Sequence, residues 1–177
     1  FKASGGGVTL SGGEPLLQPR FAASLLRRCK EAGLHTALDT SGHAHLELAK
    51  EALAQTDLVL LDLKSSDAAT HQAVTGVSQD RILKFAEYLA EIKKPTWIRF
   101  VLVPGLNDAP ENIEGVAQIA AGLGNVERVD VLPFHKMGEY KWARLGLPYT
   151  LKDTQPPSDQ QVAATLEVFR KYGLTAY

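Results

Sequence analysis

Val8-Thr9-Leu10-Ser11-Gly12-Gly13-Glu14 reads as a short strand that runs into a paired-glycine turn and then a carboxylate. Branched side chains favour extended backbone, and a Gly-Gly pair lets the chain turn sharply while exposing its own N–H and C=O groups. Pro15 follows, and Pro19 opens an amphipathic helix. Strand, turn and helix make one βα unit. The fold depends on whether that unit repeats.

Ala22, Leu25, Leu26 and Cys29 follow i, i+3, i+4, i+7 spacing and predict a helix over residues 19–32, stopped by Gly33. Residues 34–39 then read as a strand, Thr40-Ser41-Gly42 as a loop and residues 46–54 as a second helix. Asp57-Leu58-Val59-Leu60-Leu61-Asp62-Leu63 is almost continuously apolar between its aspartates, the pattern of a parallel strand covered on both faces. A short helix over 67–75 is broken by Gly76, and Ser78 is placed to cap a helix whose Ile82, Phe85, Ala86 and Leu89 share a face. Residues 96–103 form the clearest strand, interrupted by Arg99 and ended by Pro104-Gly105. A helix from Pro110 turns Ile113, Val116, Ala117 and Ala120 to one side, and 126–132 is another strand. The last helix spans 158–172 with Val162, Leu166 and Phe169 inward, and 174–177 reads as a short final strand. This order predicts an α/β protein, either a TIM-type barrel or a doubly wound sheet, with residues 1–177 as one unit. Residues 136–157 break the rhythm. They read as a long loop carrying Tyr140, Trp142 and Tyr149, suited to capping a site or meeting a partner, and equally to plain surface.

Composition narrows the function. A chain of 177 residues with 45% hydrophobic side chains can bury a real core. The 19 Lys and Arg against 20 Asp and Glu argue against a nucleic-acid or polybasic membrane binder. No apolar run is long enough to span a bilayer. One cysteine excludes an internal disulfide and cannot alone hold zinc or an iron–sulfur group; the natural setting is reducing and cytoplasmic. Cys29 falls on a helix's apolar stripe, where a core role outweighs a reactive one.

Several strands end in polar residues: Asp39-Thr40, then Asp62 with Lys64, and His135 after Leu132-Pro133-Phe134. In a βα-repeat fold such ends gather at the one rim where these folds place their sites. Asp39, Thr40 and Asp62 would offer oxygens to a hard cation or an ammonium group, though either aspartate alone equally suits capping a turn. Lys64 would pair with a carboxylate or, in an aldolase-like barrel, form a Schiff base. His135 would donate to an anion or move a proton, unless it is only a surface histidine. Arg99, inside an apolar strand, needs a counter-charge. The other histidines, His35, His43, His45 and His71, show no metal-binding spacing.

The longer motifs carry a resemblance. They are Ala3-Ser4-Gly5-Gly6-Gly7-Val8-Thr9-Leu10-Ser11-Gly12-Gly13-Glu14, His35-Thr36-Ala37-Leu38-Asp39-Thr40-Ser41-Gly42 and Asp57-Leu58-Val59-Leu60-Leu61-Asp62-Leu63-Lys64. After them come Trp97-Ile98-Arg99-Phe100-Val101-Leu102-Val103-Pro104-Gly105 and Leu132-Pro133-Phe134-His135-Lys136-Met137-Gly138. In this order, over nearly the whole chain, they resemble the radical S-adenosylmethionine enzymes that activate pyruvate formate-lyase. The resemblance implies a partial (β/α) barrel of the radical SAM kind, with the first strand and the cluster loop absent. It implies that Gly12, Gly13 and Glu14 hold the methionine amino group of S-adenosylmethionine. Asp39, Thr40, Asp62 and the Leu60 carbonyl would surround a monovalent cation beside the cofactor's carboxylate. Thr40, Asp62, Leu63, Lys64, Arg99 and His135 would supply further cofactor contacts.

In that family a reduced [4Fe-4S] cluster gives an electron to S-adenosylmethionine, and the resulting radical takes a hydrogen from one glycine of the partner. The implied partners are pyruvate formate-lyase and an electron donor such as flavodoxin, in a cytoplasmic monomer serving glucose metabolism, with no nucleic acid and no membrane. One departure stands out. The family's Cys-x3-Cys-x2-Cys ligands are missing, Cys29 does not replace them, and Phe1-Lys2-Ala3-Ser4 has no initiator methionine. The expectation is a piece of a longer enzyme, inactive by itself. Activation of a different glycyl radical enzyme, or S-adenosylmethionine binding without catalysis, are the alternatives.

Overall fold

The computed structural model describes residues 4–177; Phe1, Lys2 and Ala3, including the residue that opens the first resemblance motif, lie outside the described residues. Five parallel strands form one sheet in the order β1-β2-β3-β4-β5: β1 (Gly7–Leu10), β2 (His35–Thr40), β3 (Leu58–Asp62), β4 (Thr96–Leu102) and β5 (Val126–Pro133). The strand order never reverses. Right-handed crossovers in one direction put every connecting helix on the same face, so the sheet is an open, partial (β/α) barrel and not a doubly wound sheet.

The helices are α1 (Pro19–Glu31), α2 (Leu46–Ala54), α3 (Ala68–Thr75), α4 (Asp80–Glu91), α5 (Pro110–Leu123), α6 (Glu139–Arg144) and α7 (Asp159–Lys171). Their ends follow local chemistry. Gly33 stands just past α1 and Gly76 caps α3, both with left-handed φ near +75°. Ser158 and Gln161 form a reciprocal capping box on α7. Ser78 does not cap α4 as its sequence position predicts. The helix opens one residue later behind Gln79, and the Ser78 hydroxyl only accepts from Asp80 N–H.

In the central strands β3 and β4 burial alternates with period two. In β4, Thr96, Ile98, Phe100 and Leu102 are buried under the helices, while Trp97, Arg99 and Val101 line the half-buried inner face. β3 does the same: Val59 and Leu61 are buried, whereas Leu58, Leu60 and Asp62 face the open concave side. Its near-continuous apolar run therefore marks a strand covered on one face and only half-covered on the other. The core lies between sheet and helices, with Leu26, Leu38, Leu61, Phe85, Leu89 and Ile98 fully enclosed and Phe100 edge-on to Phe169 of α7 at 5.8 Å. On α1, Ala22 and Leu26 are buried, while Leu25 and the free Cys29 are only half-buried.

Two loops are more ordered than the sequence implies. Pro15–Leu17 forms a 3-10 turn, and α6 lies inside residues 136–157. That segment still exposes Met137, Tyr140, Trp142, Leu145 and Leu147, and Trp142 packs against Tyr149 at 5.7 Å. The final residues pair with β5 through one parallel bridge, Val129 with Ala176. Among the described residues no helix is long and apolar enough to cross a membrane.

Candidate functional site

All five strands are parallel, so the C-terminal ends that precede Gly12, Ser41, Lys64, Gly105 and His135 share one edge of the sheet. At β1 the turn is built for backbone exposure. Gly12 has φ +132°, a region L side chains rarely enter, and nothing lies within 4 Å of where a Cβ would stand on Gly12 or Gly13.

Glu14 braces this turn. One carboxylate oxygen accepts from Leu16 N–H at 3.0 Å and the Thr40 hydroxyl at 2.8 Å. The other accepts from Ser41 N–H at 2.8 Å and the Ser41 hydroxyl at 2.6 Å. Four donors fill it, so it stitches the turn after β1 to the turn after β2, and the Gly12-Gly13 backbone is the part left open to a ligand. Thr40 belongs to the same brace. It is buried on the helix side, its hydroxyl also accepts from Gly42 N–H at 3.0 Å, and it faces away from Asp39. The expected quartet of Asp39, Thr40, Leu60 and Asp62 therefore lacks the threonine hydroxyl. Among the described residues, no group of three His, Cys, Asp or Glu side chains is placed to hold a metal ion.

Asp39 and Asp62 come together on the inner face, and the cation they share is Arg99. Its Nη1 donates to Asp39 Oδ2 at 3.1 Å, and its Nη2 reaches both Asp39 Oδ1 and, at 3.0 Å, Asp62 Oδ1. Ser11 Oγ donates to Asp39 Oδ2 at 2.7 Å, and Lys64 Nζ sits 3.0 Å from Asp62 Oδ2. The counter-charge that Arg99 requires in a half-buried strand is thus present twice over. Two carboxylates facing two cations leave the cluster with no formal charge, and a separated pair left in that setting would be costly.

The register explains the meeting. Asp62 lies opposite Arg99, and Asp39 lies opposite Leu60, two residues earlier on the same inner face of β3. Leu60 offers only its side chain's half-buried flank and its backbone there. The Leu63 side chain is buried in the core, so it meets the rim through backbone alone, its N–H bonding Arg99 C=O at 3.1 Å. His135 stands at the same edge but exposed, its Nδ1 accepting from Met137 N–H at 3.4 Å. It does not join the Arg99 cluster.

The cluster fits a ligand with an α-amino acid end. An ammonium suits Asp39 and Asp62, a carboxylate suits Arg99 and Lys64, and the buried Arg99 Nε has no partner among the described residues. It does not fit an iron–sulfur group, because the one cysteine, Cys29, lies on α1 away from the rim. Behind the rim, His71 of α3 is wholly enclosed, and neither ring nitrogen has a partner among the described residues. Burial, with His43 and Lys64 nearby, pushes its imidazole below the usual histidine range. Ser11, Ser41, Asn107 and Asn112 were given no role by sequence reasoning, yet each holds a rim segment.

Comparison with known proteins agrees with this architecture. The Radical SAM superfamily profile matches residues 1–116. The chain is 41% identical to the pyruvate formate-lyase 1-activating enzyme of Escherichia coli K12 over 175 residues, 98% of this chain and 71% of that one. It is 44% identical to the pyruvate formate-lyase-activating enzyme of Staphylococcus epidermidis over 171 residues, 92% of this chain and 67% of the relative. A crystal structure of a domain of the pyruvate-formate lyase-activating enzyme from Bacteroides vulgatus superposes with a TM-score of 0.82 at 35% identity, over 97% of this chain and 98% of that one. The Streptococcus suis protein SuiB, crystallised with S-adenosylmethionine, shares the fold at a TM-score of 0.71 and 21% identity. A superfamily profile over most of the chain and identities above 40% along most of two enzymes lead to one conclusion: the chain belongs to the pyruvate formate-lyase-activating enzyme family of the radical SAM superfamily.

Proposed function

We propose that the chain is the S-adenosylmethionine-binding part of an enzyme that activates pyruvate formate-lyase by installing a glycyl radical. The observation that carries this reading is the neutral rim cluster of Asp39, Asp62, Arg99 and Lys64 beside an open Gly12-Gly13 backbone. Gly12 and Gly13 present backbone groups to the methionine ammonium, with Glu14 fixing their turn. Lys64 and Arg99 attract the methionine carboxylate, and His135 contributes at the outer edge. Asp39, Asp62 and the Leu60 carbonyl are the donors offered to a monovalent cation. A [4Fe-4S] cluster, when bound, supplies the electron that cleaves S-adenosylmethionine; it needs three thiolates, which this chain's single cysteine cannot provide. Its cysteines are assigned to a part of the enzyme outside these 177 residues, and the chain alone is inactive.

The work of these residues is to hold the cofactor in one pose and to keep water and stray reductant from the rim. The exposed aromatic segment 136–157 is the surface assigned to pyruvate formate-lyase, whose target glycine must reach the open inner face. An electron donor such as flavodoxin and a cytoplasmic setting complete the proposal.

The test uses the complete gene product, reconstituted anaerobically with iron and sulfide. With a strong reductant it should release 5′-deoxyadenosine and, with pyruvate formate-lyase present, produce a glycyl radical signal by EPR. Cleavage of S-adenosylmethionine by the 177-residue chain alone, or none by the complete protein, would overturn the reading.

A further inference from the structure

Strands β3 and β4 part at the rim, and the parting creates a bonding problem. Leu63 N–H still reaches Arg99 C=O, but just past that bond the two chains diverge. Buried backbone groups left there without partners would each cost free energy comparable to a lost hydrogen bond.

The side chain of Asn107, only 1% exposed, fills the gap. Its Nδ2 donates to Lys64 C=O at 2.9 Å and to Val101 C=O at 2.8 Å, and its Oδ1 accepts from Val103 N–H at 2.8 Å. An amide side chain has the donors and acceptor of a peptide unit, and here it continues the ladder between two strands that no longer touch.

Asn112 extends the same device. Its Nδ2 donates to Asn107 C=O at 2.7 Å. Its Oδ1 accepts from Ser65 Oγ at 2.6 Å and Ser66 N–H at 2.9 Å, with Asp67 N–H farther off at 3.3 Å. Ser66 Oγ closes the circuit by donating to Asn112 C=O at 2.9 Å. Gly115 leaves the room: a Cβ there would stand 2.2 Å from Ser66 Oγ and 2.6 Å from Ser66 Cβ. Residues 65–67 are thus seated on α5 at three consecutive points, and Lys64 on Asn107 just before that helix.

We propose that Asn107 and Asn112, with Gly115 beneath them, are positioning residues for cofactor binding, acting through the Lys64 backbone. The inference rests on the assignment of Lys64 to the cofactor. A lysine side chain is long and flexible, so the place where its ammonium can be presented depends on where its backbone is anchored. Asn107 anchors that backbone directly, and Asn112 and Gly115 fix the three residues that follow.

The test is a coupling experiment on the cluster-loaded complete protein. Asn112→Asp keeps the acceptor for Ser65 and Ser66 but turns the donor toward Asn107 C=O into a second acceptor. Gly115→Ala pushes on Ser66 from the other side and keeps the test alive if the first variant does not fold. Each should weaken S-adenosylmethionine binding by roughly tenfold, measured by equilibrium dialysis without turnover. Each should also speed hydrogen exchange at Ser66 and Asp67. In a Lys64→Ala background the same changes should weaken binding by less than about twofold, because the group they position is gone. Equal losses in both backgrounds, or unchanged affinity in folded variants, would overturn the positioning role. Unchanged affinity in Lys64→Ala alone would overturn the assignment of Lys64 itself, a separate failure visible before any asparagine is touched.

Discussion

Two aspartates flank one strand, Asp57 just before β3 and Asp62 at its end, and they live differently. Asp57 accepts from Thr36 N–H and the Thr36 hydroxyl, both at 2.9 Å, and from Lys30 at 2.6 Å. Burial pushes its carboxyl up, but the bonds from Lys30 and Thr36 outweigh it and hold the group down at about 2. Among the described residues, Asp62 meets only the ends of two long cations, Arg99 and Lys64. A carboxylate held by a backbone N–H and a neighbouring hydroxyl is a fixture of the fold. One held only by flexible charges can exchange them for a charged ligand. The N-terminal edge of the sheet is therefore built for stability, and the C-terminal edge is the one suited to binding, as in barrels generally.

The sharpest way to break this contrast is Arg99→Ala in the complete enzyme. It strands Asp39 and Asp62 together, and 5′-deoxyadenosine formation should fall by about a hundredfold or more while circular dichroism shows a folded protein. Turnover within a few fold of wild type would show that the rim cluster is not the site. Asp62→Asn should weaken S-adenosylmethionine binding by roughly tenfold and abolish any dependence on monovalent cations; retained affinity with retained salt dependence would contradict the shared-charge reading. Trp142→Ala tests the other exposed region. Pyruvate formate-lyase activation should drop by about fivefold with uncoupled cofactor cleavage unchanged, whereas equal loss of both would move Trp142 into the cofactor site.

The smallest effect belongs to Asp57→Asn, which should leave cofactor affinity alone and cost on the order of 1 kcal/mol of stability after solvent screening. Because folding lowers this carboxyl from its ordinary 3.8 to about 2, its contribution is complete above pH 3.8 and is lost as pH falls through 2. Acid titrations of wild type and Asp57→Asn should therefore converge in that window. Parallel curves would mean the Lys30–Asp57–Thr36 cluster lends no pH-dependent stability.

Much of this was legible in the residues. Helical spacing found α1, α4 and α5 because their apolar stripes face one core, and four strand ends found the rim because parallel strands share an edge. Period two also implies that Asp39 and Thr40 point opposite ways, which separates the inner-face carboxylate from the braced hydroxyl. The tasks of Glu14 and Asn107 were hidden for a different reason. The partners that tie them to the rim lie far along the chain, 27 residues from Glu14 to Ser41 and 43 from Asn107 to Lys64, and most of their bonds are to backbone groups with no residue-type signature. Residues 136–157 read as plain loop because α6 is too short to show a periodic stripe.

The strand order that builds the rim also sets a schedule for the ribosome. Each strand pairs with the one made just before it, so a newly emerged βα unit finds its docking edge already in place and never waits for a later segment to be inserted. Arg99 is translated after both aspartates it bridges. Lys64 already faces Asp62, so the nascent sheet carries one carboxylate in excess at this edge until β4 arrives, and the closing of Arg99 on Asp39 and Asp62 marks the moment at which the four-charge cluster first exists.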